Sequence, residues 1–463
     1  MPNARRTVRI VTLGCAKNEV DSEEIAGVLS KAGFRLDGAA DRVDLTLINT
    51  CGFLQAAQAE SIAAIRKAVR DRKRGLTSKV VVAGCLAQRL GPRMAVAAPG
   101  ADAYVGVGQM GRFDAIVRGV FDGRQPAIES GPPHHRWADV QTRARTGTPW
   151  SAYLKVSEGC DHACTFCTIP SFRGPHQSKP LERVLDEALF LASTGARELN
   201  LIAQDVTQYG YDIYGKFTLP RLLRELNAVE GIDWIRMLYF YPSRLTDEVI
   251  DAMASLPNVL PYVDIPLQHV HPDVLRRMRR PGCGDKYLAL FGKLRAALPE
   301  VAIRTTFIVG FPGETAAEFA YLLDFLREAR LDRVGAFQYS REPGTPSHDM
   351  AGQTPARVKQ DRFHTLMSLQ QDISLSINRD WVGKELSVLV DSAENGWSVG
   401  RSHRDAPEID GLVMVAGEAR PGQIVPVRIT GAEPYDLTGE IVAGGGKRDN
   451  LLPLRMSPPR TPR

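Results

Sequence analysis

The chain has 463 residues, 44% hydrophobic and 24% charged, with a formal net charge of +5; that length suits about three domains of usual size, and the mild charge allows a polyanionic partner without requiring one. No run reaches the roughly 18 apolar residues of a membrane helix, and Arg5, Arg6 and Arg9 precede only a short apolar run ending at Gly14 and Cys15, which argues against a signal peptide and predicts a cytoplasmic protein with no membrane partner. Seven cysteines in so long a chain exclude a disulfide scaffold.

Residues 1–121 alternate strand and helix signals. VRIVTLG (8–14) is an apolar, β-branched run, followed by Asn18 and Asp21 as helix caps and an amphipathic stretch over 20–32. LTLINT (45–50) repeats the strand signal and 56–69 the helix; KVVVAG (79–84) and ADAYVGV (101–107) predict a third and fourth strand. This alternation predicts a parallel sheet covered by helices. Cys15, Cys51 and Cys85 each fall at the C-terminal end of one of the first three strands, separated by 36 and 34 residues. All such ends lie on one edge of a parallel sheet, so the three thiols are expected to converge into a metal-binding trio; the alternative is three small buried residues. GVGQMG, with Gly106, Gly108 and Gly111, fits a dinucleotide-binding pattern. It closes the α/β series instead of opening it, so a plain strand-to-helix turn is the better reading.

Residues 122–149 look like a linker rich in Gly, Pro, His and Arg, in which His134 and His135 read as solvated. The segment 150–354 opens with EGCDHACTFC (158–167), which places Cys160, Cys164 and Cys167 within eight residues. Three thiolates on one loop can hold three corners of an iron–sulfur cube and leave the fourth iron open to a small molecule. A zinc site would need His162 or a distant fourth ligand, and zinc knots usually show two ligand pairs. Strand-like runs follow at YLKV (153–156, just ahead of the motif), RELNLIA (197–203), WIRMLYF (234–240), PYVDIPL (261–267), AIRTTFIVG (302–310) and RVGAFQY (333–339), with helix-like stretches between them. Six such units predict a partial α/β barrel whose chemistry sits at the C-terminal strand ends. Candidate contacts there are Gln204, Asp205, Ser243, Arg244, Gln268, His269 and the GFPGET turn (310–315), where Gly310 and Gly313 permit close backbone approach to a ligand. Cys283 reads as an ordinary loop thiol.

Residues 355–379 predict a bridging helix, and beyond it the period switches to two. Five short strands within 380–443 predict a small antiparallel barrel. The tail, 444–463, is rich in Gly, Pro and Arg and is expected to be disordered.

The spacing of Cys160, Cys164 and Cys167, with Phe166 before the last, resembles the signature of the radical S-adenosylmethionine (SAM) enzymes. The three-domain pattern and the segments LGCAKNEVDSE, NTCGF, SEGCDHACTFCTIPSFRG, DIPLQH, TFIVGFPGET and GRSHRDAPEIDG resemble the methylthiotransferases over nearly the whole chain. Within that family they look like the branch that modifies an aspartate of the twelfth small-subunit ribosomal protein. The resemblance implies an α/β methylthiotransferase domain, a partial (βα)6 radical SAM barrel and a TRAM-like barrel. It implies two [4Fe-4S] clusters, one on Cys160, Cys164 and Cys167, the other on Cys15, Cys51 and Cys85. The first cleaves SAM to a 5′-deoxyadenosyl radical, the second supplies sulfur, and a second SAM supplies the methyl group. Phe166, Gln204, Asp205, Gly310, Gly313 and Glu314 are the expected SAM contacts, and a reductase or flavodoxin-like protein the expected electron donor to a monomeric enzyme. A β-carbon has no acidity for general-base chemistry to use, which is why a radical is needed.

The rival substrate is an adenosine in transfer RNA, handled by a sibling branch. Over 380–443, eleven acidic residues against five basic ones leave −6, so the remainder of the chain carries +11. A module that grips phosphate needs the opposite sign, whereas an acidic barrel suits a basic ribosomal protein; ribosomal RNA contact is left to the rest of the chain. A third reading, a non-catalytic iron–sulfur assembly protein, would need no SAM site.

Overall fold

The computed structural model describes residues 6–123, 127–133, 137 and 143–442. His134, His135 and the tail from Gly444 lie outside them. Contacts divide the chain into two compact units, Met1–Ser374 and Leu375–Arg463.

The first unit opens with a six-stranded sheet of β1 (Thr7–Thr12), β2 (Arg35–Leu36), β3 (Val43–Thr50), β4 (Thr77–Gly84), β5 (Ala103–Val105) and β6 (Ala127–Glu129), in the order β2-β1-β3-β4-β5-β6 with every pair parallel. Val80, Val81, Val82 and Ala83 are fully buried, as expected of a strand covered on both faces. The predicted strands at 8–14, 45–50, 79–84 and 101–107 are all present. β6 is a correction: it lies in the stretch read as linker, too short to carry a periodic signal, and is tied in where Gly106 N–H donates to the Glu129 carbonyl at 2.8 Å. GVGQMG forms a 3-10 turn (Val107–Arg112) into the helix Phe113–Phe121, so it is the plain connection expected.

Helix Ala16–Lys31 departs further from expectation. Its N-cap is Cys15, and Asn18 and Asp21 sit inside it, wholly buried, instead of capping it. Lys17, Ser22, Glu23 and Glu24 are buried as well. A helix with this many inaccessible polar groups needs partners elsewhere, and residues after Pro149 provide them.

There β7 (Ser151–Lys155) leads into the cysteine loop, whose base is closed by β8 (Ser157–Glu158) and β9 (Gln177–Ser178), an antiparallel pair. Next come β10 (Glu198–Ile202), β11 (Trp234–Met237), β12 (Tyr262–Asp264), β13 (Ala302–Val309) and β14 (Arg333–Gln338). Parallel pairing runs β7-β10-β11 and β12-β13-β14, and a parallel bridge between Ile235 and Val259 together with Phe240 N–H to Asp264 carbonyl (2.8 Å) carries the wall across the gap. The six predicted units are thus six consecutive parallel strands of an incomplete barrel. The bridging helix runs Ala356–Arg379.

The second unit is a closed five-stranded barrel of β15 (Glu385–Glu394), β16 (Trp397–Ser402), β17 (Val413–Ala416), β18 (Ile424–Ala432) and β19 (Leu437–Ile441), ordered β15-β16-β17-β19-β18 and closed by β18 on β15. Alternating Leu386, Val388, Val413, Val415, Val427, Ile429 and Leu437 fill its interior with Trp381. β17 and β19 pair in parallel, the one departure from antiparallel pairing.

Candidate active site

The sheet edge assembles the first trio by backbone approach. Cys15 follows β1, Cys51 follows β3 directly, and Cys85 follows β4 and starts the helix Cys85–Leu90. Glycines make the turns fit together. A Cβ on Gly14, whose φ is +104°, would lie 2.8 Å from Cys51 Cβ, and one on Gly52 would lie 2.9 Å from the Cys85 carbonyl group. Asn18 ties the turns to each other: its amide donates to the Leu13 carbonyl at 2.7 Å and the Thr50 carbonyl at 3.1 Å. Burial pushes the Cys51 and Cys85 thiols up, Cys85 to about 12, with Arg173 opposing the shift.

The second trio is built by the loop after β8. Gly159 (φ +77°) passes so close to Pro175 that an added Cβ would sit 2.0 Å from its carbonyl oxygen, so only glycine fits there. Cys160 N–H donates to the Gly174 carbonyl (3.0 Å) and Thr165 N–H to the Met278 carbonyl (3.1 Å), pinning the loop at both ends. Burial pushes Cys160 and Cys167 up to about 12. Arg280 places Nη1 3.6 Å from Cys164 Sγ and stacks its guanidinium 4.6 Å over the Tyr241 ring.

His162 is taken up by protein contacts. Its Nε2 lies 2.7 Å from Asp205 Oδ2, and its ring stacks on Tyr241 with centroids 3.7 Å apart. Asp205 also accepts from Thr207 and, at 3.1 Å, from Arg244, and it is held below the usual carboxylate range despite its burial by the hydrogen bonds from His162 and Thr207. Gln204 donates to Glu158 at 2.5 Å. Glu314 accepts from the Gly310 and Phe311 amides at 2.6 and 3.0 Å and pairs with Arg362 at 3.0 Å, which shapes the turn in which Gly310 and Gly313 both have φ +73°. Phe166 packs edge-on against Phe311, centroids 6.5 Å apart. Of the other strand-end candidates, Ser243 is exposed, Gln268 has φ +71°, and His269 is fully buried. Cys283 is free and precedes the helix Gly284–Ala297.

The segments that carry the two trios are joined by charges that local sequence patterns do not disclose. Arg173, six residues past Cys167 and almost wholly buried, donates to Cys85 Sγ at 3.0 and 3.2 Å, to Asn18 Oδ1 at 2.7 Å, and pairs with Asp21 at 2.8 Å and Glu158 at 3.1 Å. Lys155, fully buried on β7, lies 2.5 Å from Asp21 and 3.3 Å from Glu158; burial alone would favour its neutral form, but these carboxylates hold it charged. Arg143 bridges Glu23 and Glu187 at 2.5 and 2.6 Å, and Lys179 pairs with Glu187, held at about 2 by its two cations against its burial. Glu24, pushed up by burial, eases the excess of acid. The polar face of Ala16–Lys31 is therefore the surface on which the α/β domain meets the barrel.

N–H donors aimed at Cys85 and Cys164 are the partners that metal-bound thiolates accept.

Residues 154–326 match the Radical SAM superfamily, 7–106 the Uncharacterized protein family UPF0004, and 382–442 the TRAM domain. The chain is 45% identical to the ribosomal protein uS12 methylthiotransferase RimO of Moorella thermoacetica over 94% of its own length and 99% of that protein's. It is also 45% identical to the one of Symbiobacterium thermophilum, covering 94% and 92%. Among solved structures, the radical SAM methyltransferase TsrM of Kitasatospora setae superposes with a TM-score of 0.57 at 16% identity, over 84% of this chain and 79% of that one, a likeness of fold. The superfamily implies SAM and a [4Fe-4S] cluster. With relatives matched over nearly their whole length and all three domain models in chain order, the chain belongs to the RimO family of radical SAM methylthiotransferases.

Proposed function

We propose that this enzyme inserts a methylthio group at the β-carbon of an aspartate in ribosomal protein uS12. The observation that carries the reading is that Arg173, six residues past Cys167, donates to Cys85 Sγ of the first trio while pairing with Glu158 at the base of the second cysteine loop. Cys160, Cys164 and Cys167 would hold the cluster that meets SAM, and Cys15, Cys51 and Cys85 an auxiliary one. When bound, the first cluster with SAM supplies the hydrogen-abstracting radical, the second the sulfur, and a second SAM the methyl group. The chain's own residues orient and shield these groups. Arg280 and Arg173 donate to one thiolate of each trio and stabilise its negative charge. Phe166 with Phe311, and the turn Gly310, Gly313 and Glu314, form the wall against which SAM would rest. Gln204 and Asp205 act through Glu158 and His162, fixing the loop that carries Cys160. The working division is 1–121, 150–354 and 380–443, supplied with electrons by a reductase or flavodoxin-like donor.

The terminal barrel supports a protein substrate. Eight of its eleven acids, Asp380, Glu385, Glu394, Glu408, Glu418, Glu433, Asp436 and Glu440, are exposed, against Lys384, Arg420 and Arg428 among its bases. Such a surface repels phosphate and attracts a basic protein. The relatives' name points the same way. Mass spectrometry of uS12 and of transfer RNA from a deletion strain tests the assignment: uS12 should lose one methylthio group, and loss from the RNA alone would overturn it.

A further inference from the structure

Lys17, two residues after Cys15, is only 7% exposed, and its ammonium sits 3.0 Å from the centroid of the Tyr239 ring. It makes no ion pair among the described residues. Lys155, Arg143, Arg173, Lys179 and Arg236, buried like it, each meet at least one carboxylate. A buried cation without an anion is costly, and one left so at a strand end suits a ligand that brings the anion. The ring contact occupies one side of the ammonium and leaves it donors to spare.

The position is held by strain. Tyr239, two residues past β11, has φ +68°, a conformation that costs a non-glycine residue on the order of 1–3 kcal/mol. Its N–H donates to Asp264 Oδ2 at 3.0 Å, and its carbonyl accepts from Val206 N–H at 3.1 Å. Val206 follows Asp205, the partner of His162 in the cysteine loop. The ammonium thus lies between the Cys15 turn and the corner after β11, which reaches the second cysteine loop through Val206, Asp205 and His162.

We propose that Lys17 is a specificity-determining residue that receives the carboxylate of the substrate aspartate. This rests on the reading above, in which the reacting carbon is bonded directly to that carboxylate. Pinning the carboxylate orients the neighbouring C–H bond and rejects neutral side chains and bases, which leave the cation buried and unpaired. SAM also carries a carboxylate, so the test separates the two sources.

Equilibrium binding is measured on anaerobically reconstituted full-length protein, using fluorescent peptides that span the uS12 aspartate or carry asparagine in its place, with SAM titrated separately. Wild type should favour the aspartate peptide by about tenfold or more. Lys17→Met should lose that preference through weaker binding of the aspartate peptide alone, Lys17→Arg should keep part of it, and SAM affinity should be the same in all three. Equal binding of both peptides by wild type overturns the proposal without any variant, as does an equal loss for both peptides in Lys17→Met. A tenfold fall in SAM affinity with the peptide preference kept would assign the carboxylate to SAM. Methylthiolation of transfer RNA in place of uS12 removes the underlying reading, whereas methylthiolated uS12 with preference intact in Lys17→Met removes only Lys17.

Discussion

Replacing Arg173 by alanine tests the junction between the α/β domain and the barrel. The substitution strips two hydrogen bonds from Cys85 Sγ, one from Asn18, and the guanidinium from Asp21 and Glu158, all in a buried setting. Removing one partner of a buried pair costs about 3–5 kcal/mol, because the other charge is left uncompensated. Here Lys155 remains 2.5 Å from Asp21 and 3.3 Å from Glu158, so the lower end, about 3 kcal/mol, is expected. Arg173→Lys keeps the charge but cannot span thiol, amide and two carboxylates at once, and should lose about half as much. Urea unfolding of the reduced apoprotein, followed by circular dichroism, reads both values. An Arg173→Ala variant within about 0.5 kcal/mol of wild type, the range of an ordinary surface substitution, would refute the idea that this network joins the domains.

Two further predictions concern acid stability and iron content. Burial, with His271, Arg277 and Arg362 nearby, pushes His269 down to about 3, so the folded state keeps it neutral while the unfolded chain takes up a proton below about pH 6.5. The stability it contributes is complete above that pH and is lost as pH falls toward 3, by about 2.5 kcal/mol between pH 6 and 4; His269→Gln should flatten the urea-derived stability profile by that amount, and parallel profiles would contradict it. Gly52→Ala sets a Cβ 2.9 Å from the Cys85 carbonyl group and Leu86 Cα, backbone that cannot yield, so bound iron should fall to about half, whereas Gly292→Ala, with nothing within 4 Å, should keep it all. Full iron in Gly52→Ala would show that the Cys51 turn has slack.

Much of the fold was legible because long β-branched runs and a regular strand–helix spacing report burial directly. β6 was not, since three edge residues among glycines and prolines carry no period. The placement of Cys15, Cys51 and Cys85 at strand ends was readable from spacing alone. The groups around them were not: Lys155 falls in a strand-like run and Asp21 was expected as a helix cap, and they meet across 134 residues of chain. Arg173 and Cys85 are 88 residues apart and Arg280 and Cys164 are 116 apart. Such pairs leave no local pattern; the one available signal was an excess of polar residues in a stretch otherwise periodic enough to be a helix, Lys17 to Glu24. Asp205 was singled out for its position at a strand end, and its neighbours give it a supporting place beside His162.

The two trios divide the labour in this reading, one cleaving SAM and the other supplying sulfur. The division can be separated by giving reconstituted wild type and Cys51→Ala the same mixture of SAM, reductant and uS12, then quantifying 5′-deoxyadenosine and methylthiolated aspartate. Wild type should form both, and Cys51→Ala should still form 5′-deoxyadenosine but no thiolated product. Thiolated aspartate from Cys51→Ala at the wild-type level would contradict the claim, as would a wild type that forms no 5′-deoxyadenosine.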